Sequence, residues 1–450
     1  VERFSRHGPQ IDLCKVCKQA GSDAFSPLGL KVHQMSSMLS KPEIEAALSE
    51  AKMNADDVIR TQSAEGTDEH GLAGALRFFG RSILPDSRMK RSILARYLAS
   101  ARLSERAAGR LLRDPPFDAV VAHHGIYTPQ GPIANVTRAV GSRLITWHPS
   151  YRCGRLIFEH GDTYHRAMIS EDPNRWRNRE LSTAQQQELV SYLESRTTGS
   201  QDWITFQRRH PEHREQLERS LGLSFDKPTF LLLGNVAWDA RLHYEKSAYG
   251  EMTEWARDTV SWFKRRPDLQ LIVRCHPGEV MSNPRAQDRL DHFILEMLAG
   301  ELPPNIKVLA PEEHINTYAL AAHAKVALIY NTKMGVELSA RGMPVIVAGD
   351  AWIRGKGISH DASSPDDYIR HLENADRMTP LSDDQIRIAQ RYAYHFFFRR
   401  CIPVDAFSAN QGWPLCALSR EAFTRAQPGV DSGLDVICDG IMSRALFEYE

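Results

Sequence analysis

Lys325-Val-Ala-Leu-Ile-Tyr-Asn-Thr-Lys-Met-Gly-Val-Glu-Leu-Ser-Ala-Arg-Gly-Met-Pro-Val-Ile-Val-Ala348 decides how this chain folds. Its two ends, 325–330 and 344–348, are short apolar runs of strand length. The stretch between them, 332–342, reads as a helix. Strands that are apolar throughout, rather than alternating, are covered on both faces. A helix joining two such strands is the crossover of a parallel sheet. Outward from this unit the pattern repeats. Residues 228–233 and 269–274 are solid apolar strands, and 306–309 is a shorter one. Met252, Trp255, Ala256, Val260 and Phe263 recur at helical spacing, and 315–323 reads as a short helix. The alternation predicts a doubly wound Rossmann-like domain.

The first half carries a similar unit. Residues 117–122 read as a buried strand, Gly131-Pro132 opens a helix that closes near Val140-Gly141, and 142–147 is the next strand. Ahead of it, Leu72, Leu76, Phe79, Ile93, Leu94, Tyr97 and Leu98 place helices within 66–113. Residues 178–222 are polar and helical, and 1–60 show only short mixed pieces. The expected fold class is α/β: two Rossmann-like domains facing a central cleft. The expected division is 1–225 for an N-terminal, acceptor-binding domain and 226–430 for a C-terminal, nucleotide-sugar-binding domain. Residues 431–450 form a C-terminal helix returning to the first domain.

The length of 450 residues exceeds one ordinary domain. Hydrophobic residues at 42% and charged residues at 25% describe a globular chain, not a disordered one. Lys+Arg and Asp+Glu both number 56, so no basic excess marks a nucleic-acid binder. No run reaches the roughly 18–20 apolar residues of a membrane span. Nothing near Val1 reads as a signal peptide. The cysteines number 7, an odd and dispersed set suited to reduced thiols. Cytoplasmic location is expected, with the inner face of the bacterial inner membrane as its refinement. Cys14-x-x-Cys17 is a lone pair, with only His7 and His33 near, and no metal is assigned to it.

Two segments carry chemistry. In Leu271-Ile-Val-Arg-Cys-His-Pro-Gly-Glu279, Arg274 closes a strand and His276-Pro277 sits at its carboxyl edge, where open α/β sheets bind ligands. His276 can donate to a phosphate oxygen, and Pro277 stiffens the turn. In the opening segment, Asn331 or Thr332 is a natural N-cap. Gly335 would admit a ligand close to the first turn, and Glu337 stands out as a carboxylate in a small, apolar helix.

These residues carry a resemblance. Arg-x-His-Pro resembles the His-Pro element of bacterial surface-carbohydrate glycosyltransferases of the GT-B type. Asn331-Thr-Lys-Met-Gly-Val-Glu-Leu338, followed by Gly342-Met-Pro-Val345, resembles their second phosphate-and-ribose element. The nearest family is that of capsule polysaccharide biosynthesis, which includes Kdo transferases. The match is good over about 228–360, and the first half matches by architecture alone. It implies that His276 and Thr332 contact the phosphate of a CMP-linked sugar and that Glu337 holds the ribose. Lys333 stands where relatives often have a Ser-rich turn and adds a phosphate contact.

Other residues extend the site. Asn235, after the strand at 228–233, faces the cleft, and Arg354 and Lys356 suit an anionic sugar or phosphate. His124, Asp162 and His148, in that order, are the candidate general bases on the acceptor side. The expected activity is metal-independent transfer of a sugar from a nucleotide-sugar donor to a surface saccharide or lipid-linked saccharide. The nucleotide-sugar is a substrate and no cofactor is expected. Tyr392-Ala-Tyr-His-Phe-Phe-Phe-Arg-Arg400 is the candidate for peripheral membrane contact. The rivals are a teichoic-acid-type polyol-phosphate transferase with a CDP-linked donor, a non-catalytic nucleotide-sugar-binding scaffold, and a nonhydrolysing sugar-nucleotide epimerase. No nucleic-acid partner is expected.

Overall fold

The computed structural model describes residues 10–114, 116–206, 210–239, 242, 247–406, 408–409, 416–417 and 420–450. His7 and the side chains of Cys14 and Cys17 lie outside the described residues. In chain order the strands around the site are β1 (Ala119–His123), β2 (Arg143–Pro149), β3 (Arg155–His160), β4 (Thr229–Leu233), β5 (Gln270–Arg274), β6 (Ile306–Leu309), β7 (Val326–Ile329), β8 (Val345–Val347), β9 (His360–Asp361) and β10 (Ile402–Pro403).

The second half is a six-stranded sheet of order β6-β5-β4-β7-β8-β9, parallel at every pairing. The period of two along β4 explains its unbroken apolar sequence. Phe230 and Leu232 enter one core with Trp255, Val260 and Phe263 of the Met252–Lys264 helix. Leu231 and Leu233 enter the opposite core with Val336 and Leu338 of the Met334–Ala340 helix. Full burial of each such side chain contributes about 1.5–3 kcal/mol. Helices on both faces therefore make the doubly wound domain.

The first sheet has order β1-β2-β3-β10. β1 and β2 are parallel, joined by the Gln130–Ala139 helix, while β3 runs antiparallel to β2 and β10 antiparallel to β3. It is a short Rossmann-like unit extended by antiparallel strands. The two Rossmann-like domains face each other across a cleft. The chain rejoins the first sheet at β10, ahead of residue 431. The Ser432–Ser443 helix and Phe447 then pack on the same sheet through Ile437, Ile145 and Phe158.

An additional helical layer covers the first domain: Lys41–Thr61, Thr67–Phe79 and Lys90–Leu111. The first of these lies where the sequence showed only mixed pieces. It starts at a capping box, Ser40 with Glu43, and buries Ala47, Ala51, Ala55 and Val58. An alanine face is weakly hydrophobic, so its periodicity is faint in sequence, yet it lets helices approach closely.

The aromatic stretch at 392–400 is core, which corrects the membrane expectation. Tyr392, Phe396, Phe397 and Arg400 are fully buried. The Arg400 guanidinium pairs with Glu159 and Glu171, and Arg399 reaches Glu450 at 3.6 Å. Arg399 is 3% exposed and Arg400 is enclosed with its carboxylates, so neither cation is presented on the surface. Among the described residues no helix is long and apolar enough to cross a membrane.

Candidate active site

The order of the six-stranded sheet reverses between β4 and β7, so ligands belong at the carboxyl ends of these two strands. Asn235 follows β4 and Asn331 follows β7. Their side chains meet there: Asn235 Nδ2 donates to Asn331 Oδ1 at 2.7 Å. Both line a cavity of about 660 Å³, with Tyr249, Tyr330, Asp239 and Arg166 also in its wall. Asn331 is thus committed to Asn235, and the helix is entered at Lys333.

The next strand end carries His276. Gly278 N–H donates to His276 Nδ1 at 3.0 Å, which puts the proton of the neutral ring on Nε2. A side chain at Gly278 would collide with the His276 ring, since an added Cβ lies 2.7 Å from Nδ1. Pro277 is buried and caps the short Gly278–Met281 helix. Burial, then the nearby Lys333 and Arg274 cations, push the His276 pKa down to about 4. His276 is therefore a neutral hydrogen-bond donor near neutral pH. Thr332 is nearly buried, and its hydroxyl accepts the Met334 amide at 3.4 Å, a contact weak enough to yield to a ligand.

Lys333 lies beside this turn. Its Nζ donates to Glu337 Oε1 at 2.8 Å and sits 4.8 Å from the Tyr151 ring centroid. Burial, reinforced by Arg196 and opposed by Glu337, lowers its pKa to about 8. Glu337 itself is fully buried, which corrects its expected ribose role. Tyr318 donates to its Oε2 at 2.5 Å, and Arg196 Nε lies 3.4 Å from Oε1. Burial alone would raise its pKa, but Arg196 and Lys333 hold it at about 2. Glu337 is the buried anion that anchors Lys333.

Four further expectations are corrected by packing. An added Cβ at Gly335 would meet Ile329 at 2.7 Å and Ile353 at 2.8 Å, so its bareness serves helix–sheet contact rather than a ligand. Arg274 donates to the Ala310 and Glu313 carbonyls at 2.9 and 3.0 Å, fixing a loop. Arg354 donates to the carbonyls of Gly349, Ala362 and Val347 at 2.7, 2.9 and 3.1 Å. Lys356 Nζ donates to Met168 and Ile169 carbonyls at 3.2 and 3.1 Å, tying the second domain to the first. A buried cation must be paired or hydrogen-bonded, and these three are held by backbone oxygens.

On the first domain His123, His124 and His148 cluster. His123 stacks on His148 with centroids 5.6 Å apart, and His148 stacks on Tyr164 at 4.8 Å. His124 accepts the Ile126 amide on Nδ1 at 3.0 Å, so its neutral ring carries the proton on Nε2. Burial, with His123 and His148 adding repulsion, pushes its pKa down to about 3. That tautomer donates and has no free lone pair for a hydroxyl proton, which turns the first-ranked base into a donor. His148 has the opposite tautomer. Its Nδ1 lies 2.6 Å from the Pro149 carbonyl, which only accepts, so Nδ1 carries the proton and Nε2 the lone pair. Burial lowers the His148 pKa, while the Pro149 carbonyl and Asp239 oppose that. Asp162 accepts the Thr163 amide at 2.7 Å and faces Arg138 at 3.7 Å, away from the cavity wall.

The cavity wall also carries Asp239 and Glu69; sequence reasoning left Asp239 open between a structural and a functional role and passed over Glu69. Asp239 accepts from Tyr127 Oη at 2.8 Å. Glu69 pairs with Arg166 at 3.5 Å, bringing the Thr67–Phe79 helix to the cavity wall. Nothing in the local pattern of Glu69 marks it, because its partner lies about a hundred residues away. Asp239 directly follows Asn235-Val-Ala-Trp at a strand end, and that position was its available signal.

A family model described as "Capsule polysaccharide biosynthesis protein" matches residues 160–392, more than half of the chain. The chain belongs to that family. Among solved structures, the chain is similar to two of Thermosulfurimonas dismutans KpsC. For the β-Kdo 2,4-transferase the identity is 14% over 69% of this chain and 87% of the other, with TM-score 0.42. For the β-Kdo 2,7-transferase it is 14% over 64% and 80%, with TM-score 0.34. A Neisseria meningitidis UDP-GlcNAc 2-epimerase bound to UDP-GlcNAc shares 14% identity over 64% and 78%, with TM-score 0.28. No curated protein sequence matches the chain.

Proposed function

We propose that this protein is a glycosyltransferase of capsule polysaccharide assembly that takes a sugar from a nucleotide-activated, CMP-linked donor. The observation that carries this reading is the approach, from the ends of β5 and β7 on either side of β4, of a neutral His276 with its proton on Nε2 and the Lys333 ammonium. Together with the Thr332 hydroxyl they form a cradle for a phosphate. As the glycosidic bond to the nucleotide breaks, negative charge grows on that phosphate. Fixed donors stabilise such charge without reorganising, and no metal is assigned to the step.

The acceptor is a saccharide or lipid-linked saccharide whose hydroxyl enters from the cavity side. His148 Nε2 takes its proton, with Asp239 steadying the imidazolium that forms. His124 orients the acceptor by donating from Nε2. Work at the inner face of the bacterial inner membrane suits such an acceptor, and the aromatic stretch at 392–400 has no part in it.

The test is a thermal-shift comparison of CMP, CDP, UDP and GDP, each with and without Mg²⁺. A ligand at about 100 times its Kd adds about 2.7 kcal/mol of stability. A CMP-selective shift that needs no Mg²⁺ is the expected result. A CDP-selective shift points to polyol-phosphate transfer, and a UDP- or GDP-selective one to a hexose donor. Silence with all four nucleotides removes the donor site.

A further inference from the structure

Behind the His276 turn, three donor side chains meet in the interior. Cys275, Glu279 and Asp291 place a sulfur and two carboxylate oxygens within 4.8 Å of one another. Cys275 and Glu279 are fully buried and Asp291 is 5% exposed. They come from three elements: the end of β5, the Gly278–Met281 helix and the first turn of the Leu290–Met297 helix. Glu279 Oε1 accepts the Leu290 amide at 3.1 Å. Its Oε2 is buried with no hydrogen-bond partner among the described residues. A sealed, unmatched oxygen costs about 1–3 kcal/mol, so this atom calls for a ligand or a proton.

Charge counting accommodates a divalent cation. Once the Cys275 thiol and the Glu279 carboxyl have lost their protons, thiolate and two carboxylates carry three negative charges. Arg289, bound to both oxygens of Asp291 at 3.0 and 2.6 Å, offsets one. Its other partner, Glu312, is half-exposed and solvated. The neighbouring Asp288 is spent on the Ser82 amide and hydroxyl at 2.6 and 2.7 Å, and Arg274 points to its loop carbonyls. A divalent cation brings the buried group to neutrality. Arg289 then does for Asp291 what an outer-shell partner does for a ligating carboxylate, fixing its orientation.

We propose that Cys275, Glu279 and Asp291 form a structural site for a single Zn²⁺-type divalent cation. Cys275 Sγ and one oxygen each from Glu279 and Asp291 are the ligands, and water completes a tetrahedron. The thiolate selects a borderline metal over Mg²⁺ or Ca²⁺. On binding, the Cys275 thiol and the Glu279 carboxyl release their protons to solvent, with no change of oxidation state. The ion clamps β5 to the two helices that follow it and so fixes the turn carrying His276. It touches no donor phosphate. Only this link to His276 rests on the proposed function; the site itself does not.

The test uses the full chain, stripped with a chelator, dialysed and titrated with Co²⁺ alone. A near-ultraviolet thiolate-to-cobalt band saturating at a single equivalent is expected, and Zn²⁺ should abolish it by displacement. Cys275→Ser should remove the band, and Glu279→Gln should weaken Co²⁺ by roughly tenfold or more. A Cys14→Ser/Cys17→Ser double variant should titrate as the unaltered chain does. No band in the unaltered chain overturns the proposal. So does a band that survives Cys275→Ser, or one lost in the double variant. If Cys275→Ser does not fold, the double variant decides alone: a retained band supports the site and a lost one removes it. Nucleotide shifts are read separately, so a chain with the cobalt band but no response to CMP would defeat the nucleotide reading and leave the metal site standing.

Discussion

The ends of β1 and β5 repeat one local device in two domains. After β1, His124 Nδ1 takes the Ile126 amide at 3.0 Å; after β5, His276 Nδ1 takes the Gly278 amide at the same distance. In both, a backbone N–H two residues on sets the tautomer and leaves the proton on Nε2. The surroundings differ. His124 has a positive φ of 39°, Gly125 follows at 70°, and its neighbours are His123, His148 and Tyr127. His276 sits in ordinary backbone, edge-on to Phe206 and near the Lys333 cation. One turn sits among aromatic rings with the Arg77 cation beyond them, and the other beside the Lys333 cation. A histidine at a strand end is defined by what its second nitrogen meets.

The comparison breaks most visibly at His148, whose tautomer opposes both. His148→Ala should lower kcat by about 10²–10⁴, the worth of a general base, with CMP affinity unchanged. His124→Ala should cost less turnover. If His124→Ala proves the more damaging of the two in kcat, the tautomer argument fails.

Glu337 tests the cation beside His276. Glu337→Gln leaves Lys333 and Arg196 facing each other in the interior, and loss of one partner from a buried pair costs about 3–5 kcal/mol. Chemical denaturation should show that loss of stability. A stable Glu337→Gln protein that selectively loses nucleosides, with CMP binding reduced but phosphate binding intact, would restore the ribose role.

A third measurement separates the two turns directly. His276→Ala should weaken CMP by about 10- to 100-fold, the range for a hydrogen bond to a charged group, and Thr332→Ala somewhat less. His124→Ala should leave CMP affinity alone. Calorimetric titration of each variant checks this, and equal losses at both turns would erase the distinction.

The smallest effect is in pH. With pKa values near 4 and 3, His276 and His124 are neutral throughout the usual range and give no inflection above pH 5. Lys333, lowered to about 8, is protonated below that value and neutral above it. An anion needs the protonated form, so CMP affinity should fall as pH rises through about 8, by up to tenfold between pH 7 and pH 10. Lys333→Met should flatten the curve. A curve still sloping in that variant assigns the titration to another group.

Much of the second domain was legible because its strands are apolar on both faces. Residues 228–233 and 269–274 could only be strands of a covered sheet, and the positions of Asn235, His276 and Asn331 at the carboxyl edge followed. The helix Lys41–Thr61 escaped because its buried face is alanine. β3 escaped because Arg155-Leu-Ile-Phe-Glu-His160 keeps charged ends and pairs antiparallel in a domain read as parallel.

Strand periodicity and turn chemistry are local properties, so the doubly wound sheet, its carboxyl edge and the residue types gathered there were readable along the chain. Tertiary structure alone decided what each polar side chain is for. Arg196 and Tyr318 reach Glu337 from distant helices, backbone carbonyls claim Arg274, Arg354 and Lys356, and one carbonyl or one amide reverses the tautomers of His148 and His124. Pairing of a buried charge or ring nitrogen depends on which atoms lie within about 3 Å, and no spacing along the chain specifies that.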